Sequence, residues 1–370
     1  MDGVASFPVL EAVGLCKGFP GVQAVQDISV AIRPGEVHCL VGENGAGKST
    51  MIKMMSGEYA PDGGELRIFG QPVRLASPLD AQRLGIAVIH QELQLIPDMS
   101  VAENIVLGRW PLKGVLTDRG AARRIAQDVL PRAGLSVNPE TPVARLSVGQ
   151  QQQVEIARAL AFSARLLILD EPTASLSAAE AERLAAIIRQ MRSDGLGILY
   201  VSHRLEEVFD IGDRLTVVRD GRHVATRPIG ELTHEAVVDM MVGGRKSLFV
   251  ERDHRAGVVL LEVHGLSRRG AFQDVSLIVR QGEIVGFGGL VGAGRTEVAR
   301  CIFGIDRADA GEIRLDGQAA RIANPRDAIA RGIALVPEDR KGQGLVLPLS
   351  VGANLEMSVL GRLSTAGWLH

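Results

Sequence analysis

The sequence predicts an α/β fold: a mixed sheet core with an antiparallel β subdomain and a helical subdomain, followed by a partial second copy. Three observations carry that prediction. Short, mostly apolar runs of strand length, such as Glu36–Val41, Leu166–Leu169 and Ile198–Val201, alternate with stretches at helical spacing. A glycine-rich loop, Gly42 to Thr50, joins the first of those strands to a helix. Beyond residue 257 the same order of signals begins again.

The loop is the most informative segment. Gly42-Glu43-Asn44-Gly45-Ala46-Gly47-Lys48-Ser49-Thr50 fits the phosphate-loop pattern, a Gly, four residues, then Gly-Lys-Ser. Glu36–Val41 before it reads as a buried strand, and Met51–Ser56 behind it as a helix that Gly57 ends. Glycines let backbone N–H groups turn inward around phosphate oxygens, and the helix N-terminus adds partial positive charge. Lys48 is placed to reach the β- and γ-phosphates of a nucleotide and the Ser49 hydroxyl to ligate Mg²⁺.

At 370 residues the chain has room for two or three domains with their own cores. A formal charge of −2 gives no sign of a nucleic-acid partner. Cys16, Cys39 and Cys301 lie far apart, without the spacing of a zinc site or redox pair, which fits a reduced, cytosolic chain. Met1–Leu10 lacks a charged-then-apolar leader pattern. No window approaches 18 uninterrupted apolar residues, so no bilayer span is expected. The 43 glycines suit a protein of tight turns and close backbone approach to ligand.

Taken in order, Leu10–Ile32 alternates apolar and polar residues and reads as antiparallel strands. Phe19 between them is either core or a face for a base to stack on. Asp62–Glu65 reads as a turn, Leu66–Phe69 and Leu84–His90 as strands, and Gln91 as a strand-end amide near nucleotide or a solvated loop residue. From Glu92 to about Thr141 the pattern is helical. Ser147 caps a helix from about Gln150 to Ala161, and with Gly149 and the free N–H groups at its tip forms a second anion surface or a plain helix start. Leu166–Leu169 delivers Asp170 and Glu171 at a strand's C-terminal end, where α/β sheets place ligands. Asp170 suits Mg²⁺, and Glu171 suits a general base. Leu184, Ile187, Ile188 and Met191 read as the core face of a helix. Ile198–Val201 ends at Ser202-His203, a His for the γ-phosphate or for structure.

The phosphate loop, Gln91, Leu146-Ser147-Val148-Gly149-Gln150, Leu166–Glu171 and His203 resemble an ABC-transporter ATPase in order and spacing. The resemblance implies that Phe19 stacks on adenine and that Ser147–Gln150 caps a dimer partner's γ-phosphate. It also implies that Gln91 serves both Mg²⁺ and the attacking water. Ser177 departs from the pattern, in which an Asp closes the loop after the Glu and communicates across the dimer.

The second copy narrows the subgroup. At one constant shift Gly42 becomes Gly289, Gly64 becomes Gly311 and Gln91 becomes Glu338. Arg295 replaces the loop Lys, the strand pair is shorter, and no counterpart of Phe19 remains. A planar guanidinium does not reproduce a compact ammonium in a tight loop, so weak or slow hydrolysis is expected there. Together with Val336–Lys341, these features resemble the tandem ATPase subunit of ribose-, galactose- and xylose-type importers. Against that subgroup, a second signature, Asp-Glu strand and His are not expected before His370, so the second domain reads as incomplete. The expected domains are 8–244, a linker 245–257, and 258–370.

The resemblance implies a peripheral ATPase on the cytoplasmic face of the inner membrane that powers monosaccharide import with ATP and Mg²⁺. Its implied partners are two permease subunits, an extracytoplasmic sugar-binding protein and an ATPase dimer partner. The alternatives are a soluble tandem ATPase acting on ribosomes or DNA, or a non-catalytic regulatory fragment. The charged insert or zinc cysteines of the former are not visible, and the complete first site argues against the latter.

Overall fold

The computed structural model describes residues 7–91, 93–174, 176–243, 257–289, 292–337, 339–357, 359–360, 363–365 and 368–369. The chain divides into two compact units, Met1–Val250 and Glu251–His370. Most of the expected linker, with Leu290, Val291 and Glu338, lies outside the described residues.

The first unit opens on the antiparallel pair β1 (Leu10–Phe19) and β2 (Val22–Ile32). Next, β3 (Val37–Val41) leads through the phosphate loop into α1 (Lys48–Met55). The helix starts three residues before the expected Met51. Apolar spacing marks only its buried side, whereas Lys48, Ser49 and Thr50 form the first turn. Met51, Ile52, Met54 and Met55 are at most 1% exposed, and each such burial is worth about 1.5–3 kcal/mol.

The expected turn at Asp62–Glu65 is instead largely strand, since β4 spans Gly63–Ile68 and pairs with β1. Asp62 is held by the Gly18 N–H at 2.8 Å and Lys17 at 2.6 Å. Then come β5 (Gln71–Val73), α2 (Pro78–Arg83) and β6 (Ile86–Ile89). The region expected to be helical contains α3 (Val101–Ile105), a small hairpin of β7 (Leu112–Lys113) and β8 (Leu116–Thr117), and α4 (Arg119–Arg132). Gly114 at φ 66° turns that hairpin, which the helical spacing around it concealed.

The remainder is α5 (Val148–Ala161), β9 (Leu166–Asp170), α6 (Ala178–Ser193), β10 (Gly197–Val201), α7 (Leu205–Ile211), β11 (Arg214–Arg219), β12 (Arg222–Pro228) and α8 (His234–Val242). The sheet order is β5-β4-β1-β2-β12-β11-β3-β10-β9-β6. Strands β11, β3, β10, β9 and β6 pair in parallel, while β5, β4, β1 and β2 form the antiparallel wing.

Strand alternation splits the core in two. Val37, Cys39, Leu167, Leu169, Ile198 and Tyr200 share one cluster with the helical subdomain. Leu40, Leu166, Ile168, Leu199 and Val201 share another with α1 and the antiparallel wing. Parallel register aligns the strand ends: Val201 lies opposite both Asp170 and Leu40. The phosphate loop, Asp170-Glu171 and Ser202-His203 therefore leave the sheet along one edge.

The second unit contains β13 (Val259–Arg268), β14 (Phe272–Arg280), α9 (Arg295–Ile302), β15 (Ala310–Leu315), β16 (Gln318–Ala319), α10 (Pro325–Ala330) and α11 (Val351–Met357). It repeats the first unit down to single hydrogen bonds. Gly14 N–H donates to Ser29 and Gly265 N–H to Ser276, each at 2.9 Å. The Asn104 amide donates to the carbonyls of Ile96, Met99 and Ser100, as Asn354 does to Val346, Leu349 and Ser350. The copies differ at β3. Its counterpart, residues 283–288, is not strand, and Ile284 is 82% exposed. In the first unit β3 lies between β10 and β11; the second unit has no counterpart of these neighbours among its described residues.

Candidate functional site

The phosphate loop is held open from behind. Gly47 sits at φ 98°, where a Cβ would lie 2.5 Å from the Ala24 carbonyl, so glycine is required. The Ala46 carbonyl accepts from Gly221 N–H at 3.2 Å, tying the loop to the turn after β11. Lys48 is 7% exposed and donates to the carbonyls of Gly42 at 2.7 Å and Glu43 at 3.0 Å. Burial lowers its pKa, against the opposing pull of the Glu171 and Asp170 charges. Asn44, Gly45 and Ser49 are exposed along the loop and Thr50 is half-buried. The first-turn N–H groups of α1 have no partners within the helix, which completes an anion cradle.

Across the edge, the Glu171 carboxylate is the meeting point. Gln91 Nε2 lies 3.4 Å from Oε2, and His203 Nδ1 lies 3.3 Å from Oε1. Gln91 is therefore not merely a solvated loop amide, and His203 is not a core histidine, its side chain being 56% exposed. Glu171 adopts φ 47°, a left-handed conformation uncommon outside glycine, and its N–H is fixed by the Val201 carbonyl at 2.9 Å. This backbone kink separates Glu171 from Asp170, so adjacent acids face different surroundings. Burial raises the Asp170 pKa and the Glu171 charge adds to it, opposed by His90, Lys48 and Lys53. Asp170 is a half-buried acid next to a second acid and within the field of Lys48, and Ser49, Gln91 and Asp170 are hard oxygen donors of the type that could hold Mg²⁺.

Phe19 does not join the core. It is 39% exposed at the end of β1, with Tyr59 edge-on at a centroid distance of 5.5 Å and the Lys17 ammonium 5.9 Å from its ring centre. Tyr59 carries no local signal of this role, because nothing in the chain between Phe19 and Tyr59 indicates that their rings meet.

The tip of α5 differs from expectation. Ser147 caps it as expected, in a reciprocal box with Gln150. Its N–H groups are not all free, because Glu180 turns onto them. The Ser147 hydroxyl donates to Glu180 Oε1 at 3.3 Å, and a Cβ on Gly149 would lie 2.6 Å from the same oxygen. Hydrogen bonds from the Ser177 N–H and hydroxyl, then from Ser147 and Gly149, hold the Glu180 pKa down. A carboxylate of the chain itself thus stands beside the anion position. Ser177, where the pattern expects Asp, caps α6 through Glu180. The Ser-x-x-Glu spacing of a capping box was the available signal for that pair.

These features match a known family. The ABC transporter family model matches residues 25–174 and 272–356. A ribose import ATP-binding protein of Rubrobacter xylanophilus is 51% identical over 356 residues, 96% of this chain and 71% of the relative. A putative ribose/galactose/methyl galactoside import ATP-binding protein of Burkholderia cenocepacia is 48% identical over 364 residues, 97% of this chain and 71% of the relative. Among solved structures, a component of an ABC transporter complex from Clostridium perfringens superposes with a TM-score of 0.56 at 26% identity, over 64% of this chain and 95% of that one. A nucleotide-free ATP-binding cassette from an ABC transporter shares the fold, at a TM-score of 0.57 and 24% identity, over 67% of this chain and all of that one. The chain belongs to the ABC transporter family of ATP-binding proteins.

Proposed function

We propose that this chain is the ATP-hydrolysing subunit that powers import of a monosaccharide through a membrane permease. The observation that carries the reading is the convergence of Gln91 and His203 on Glu171, at the sheet edge that also carries the Lys48 loop. On that reading the loop amides from Gly42 to Gly47 and the Lys48 ammonium take the β- and γ-phosphates, replacing the Gly42 and Glu43 carbonyls as partners of Lys48. Phe19 stacks on the base. Glu171 accepts a proton from the water that attacks the γ-phosphorus. Gln91 orients that water through its amide, and His203 bridges the site, with Nδ1 toward Glu171 and Nε2 toward a γ-phosphate oxygen. Mg²⁺, held by Ser49 and Asp170 with Gln91 near, would neutralise the phosphate charge that builds as the bond breaks.

Ser147, Gly149 and Gln150 are assigned to the γ-phosphate of a dimer partner, which requires the Glu180 carboxylate to turn aside as phosphate arrives. Sugar import is inferred from the relatives' names, as are two permease subunits, an extracytoplasmic sugar-binding protein and a peripheral position on the cytoplasmic face of the inner membrane. No helix among the described residues is long and apolar enough to cross a membrane. Residues 8–244 and 258–370 are assigned as two ATPase domains joined by 245–257, the second degenerate. The test is Glu171→Gln: ATP binding is retained while hydrolysis falls by roughly two to four powers of ten. Unchanged turnover removes Glu171 from the mechanism.

A further inference from the structure

Glu171 and His203 sit on loops, and one half-buried carboxylate ties those loops together. Glu207, on α7, accepts from four donors on two segments. Thr173 Oγ1 lies 2.7 Å from Oε1 and 2.8 Å from Oε2. The Tyr200 hydroxyl lies 2.8 Å and the Ser202 hydroxyl 3.2 Å from Oε2, and the Arg204 guanidinium 2.9 Å from Oε1. Thr173, Tyr200 and Ser202 are 5%, 1% and 2% exposed, so no water replaces Glu207 as their partner without rearrangement. Thr173 stands two residues after Glu171, and Ser202 immediately precedes His203.

We infer that Glu207 is a positioning residue that sets the separation between Glu171 and His203 by gripping both of their loops through Thr173 and Ser202. The chemistry suits the task. An ionised carboxylate only accepts, and every group around it donates. Burial, reinforced by the nearby Glu207 charge, raises the Tyr200 pKa, so its phenol stays a donor. The Ser202 hydroxyl also accepts from the Arg204 N–H at 3.0 Å, which fixes its rotamer toward Glu207. Neither Thr173 nor Ser202 is given a contact with nucleotide, so their effect on turnover passes through the 3.3 Å pairing of Glu171 with His203.

The inference rests on the assignment of Glu171 and His203 above, and the experiment separates the two. The full chain is prepared as Thr173→Val, Ser202→Ala, the double variant, Thr173→Ser, Glu171→Gln and His203→Ala. Steady-state ATPase rates, ATP affinity and melting temperature are measured for each. Displacing a reacting group by a fraction of an ångström to 1 Å costs up to a hundredfold, so each loop variant is expected to lose about tenfold in kcat with KM for ATP within about twofold. Because both arms end on one carboxylate, the double variant loses no more than the worse single variant, and Thr173→Ser recovers wild-type kcat. Loop variants that melt earlier but turn over normally, or whose kcat losses multiply, overturn the role of Glu207 while Glu171→Gln and His203→Ala remain inactive. Wild-type turnover in either of those two overturns the assignment beneath it and the inference with it.

Discussion

Glu155, on α5, is a buried carboxylate whose titration should be readable in the stability of the first unit. It is 7% exposed, and one oxygen accepts from the Gln94 N–H at 2.6 Å. The other, Oε2, is buried without a hydrogen-bond partner. Glu58, His90 and Arg158 line the same cleft, and the Arg158 charge acts on Glu155. Burial pushes the Glu155 pKa up to about 7 from 4.5, with Gln94 and Arg158 pulling the other way. A pKa raised in the folded state means that folding favours the protonated acid. Its contribution is fully present below about pH 4.5 and is lost as pH rises through 7. At 1.36 kcal/mol per unit, the full swing is about 3 kcal/mol. Glu155→Gln removes the titration but keeps the shape and the acceptor for Gln94. Urea unfolding of both proteins between pH 4.5 and 8, followed by circular dichroism, should show the variant gaining about 3 kcal/mol on wild type across that range. The gain concentrates between pH 5 and 7, and other carboxylates cancel in the difference. A wild-type-to-variant difference that stays constant with pH would show that folding does not shift the Glu155 carboxyl.

Lys48→Ala removes the cation and leaves the Gly42 and Glu43 carbonyls without its donors, so ATP affinity should fall at least about tenfold in equilibrium binding, the size of one lost charged hydrogen bond. Arg295→Lys should leave the ATPase rate unchanged, because β3 has no strand counterpart in the second unit to hold its loop; a doubled rate would show that the lysine was the missing part. Asn104 accepts from Ile96 N–H and donates to three carbonyls while fully buried, so Asn104→Ala should cost about 3 kcal/mol in urea unfolding. The equivalent Asn354→Ala should cost less, since its hydrogen bonds are exposed.

The amino-acid sequence by itself determined the features that local chemistry specifies. A glycine followed by Lys-Ser after an apolar strand admits few conformations, and the strand, loop and helix were legible because each signal lies within a dozen residues. The internal repeat was legible for the same reason, since matching side chains recur in matching order. Local signals mislead where the partner is distant in the chain. Asp62–Glu65 looks like a turn in isolation, yet pairing with β1 makes Gly63 onward a strand. The tip of α5 looks like free N–H groups, yet Glu180 reaches it from the start of α6. Gln91 and His203 meet at Glu171 only in the packed molecule, because parallel register, not sequence distance, brings the ends of β9 and β10 to one edge. Tertiary packing likewise sets the surroundings of Glu155 and Glu207. A carboxylate on a helix reads as a solvated charge until folding buries it, and then its role depends on whether donors from other segments arrive. Four donors reach Glu207, whereas one oxygen of Glu155 has none.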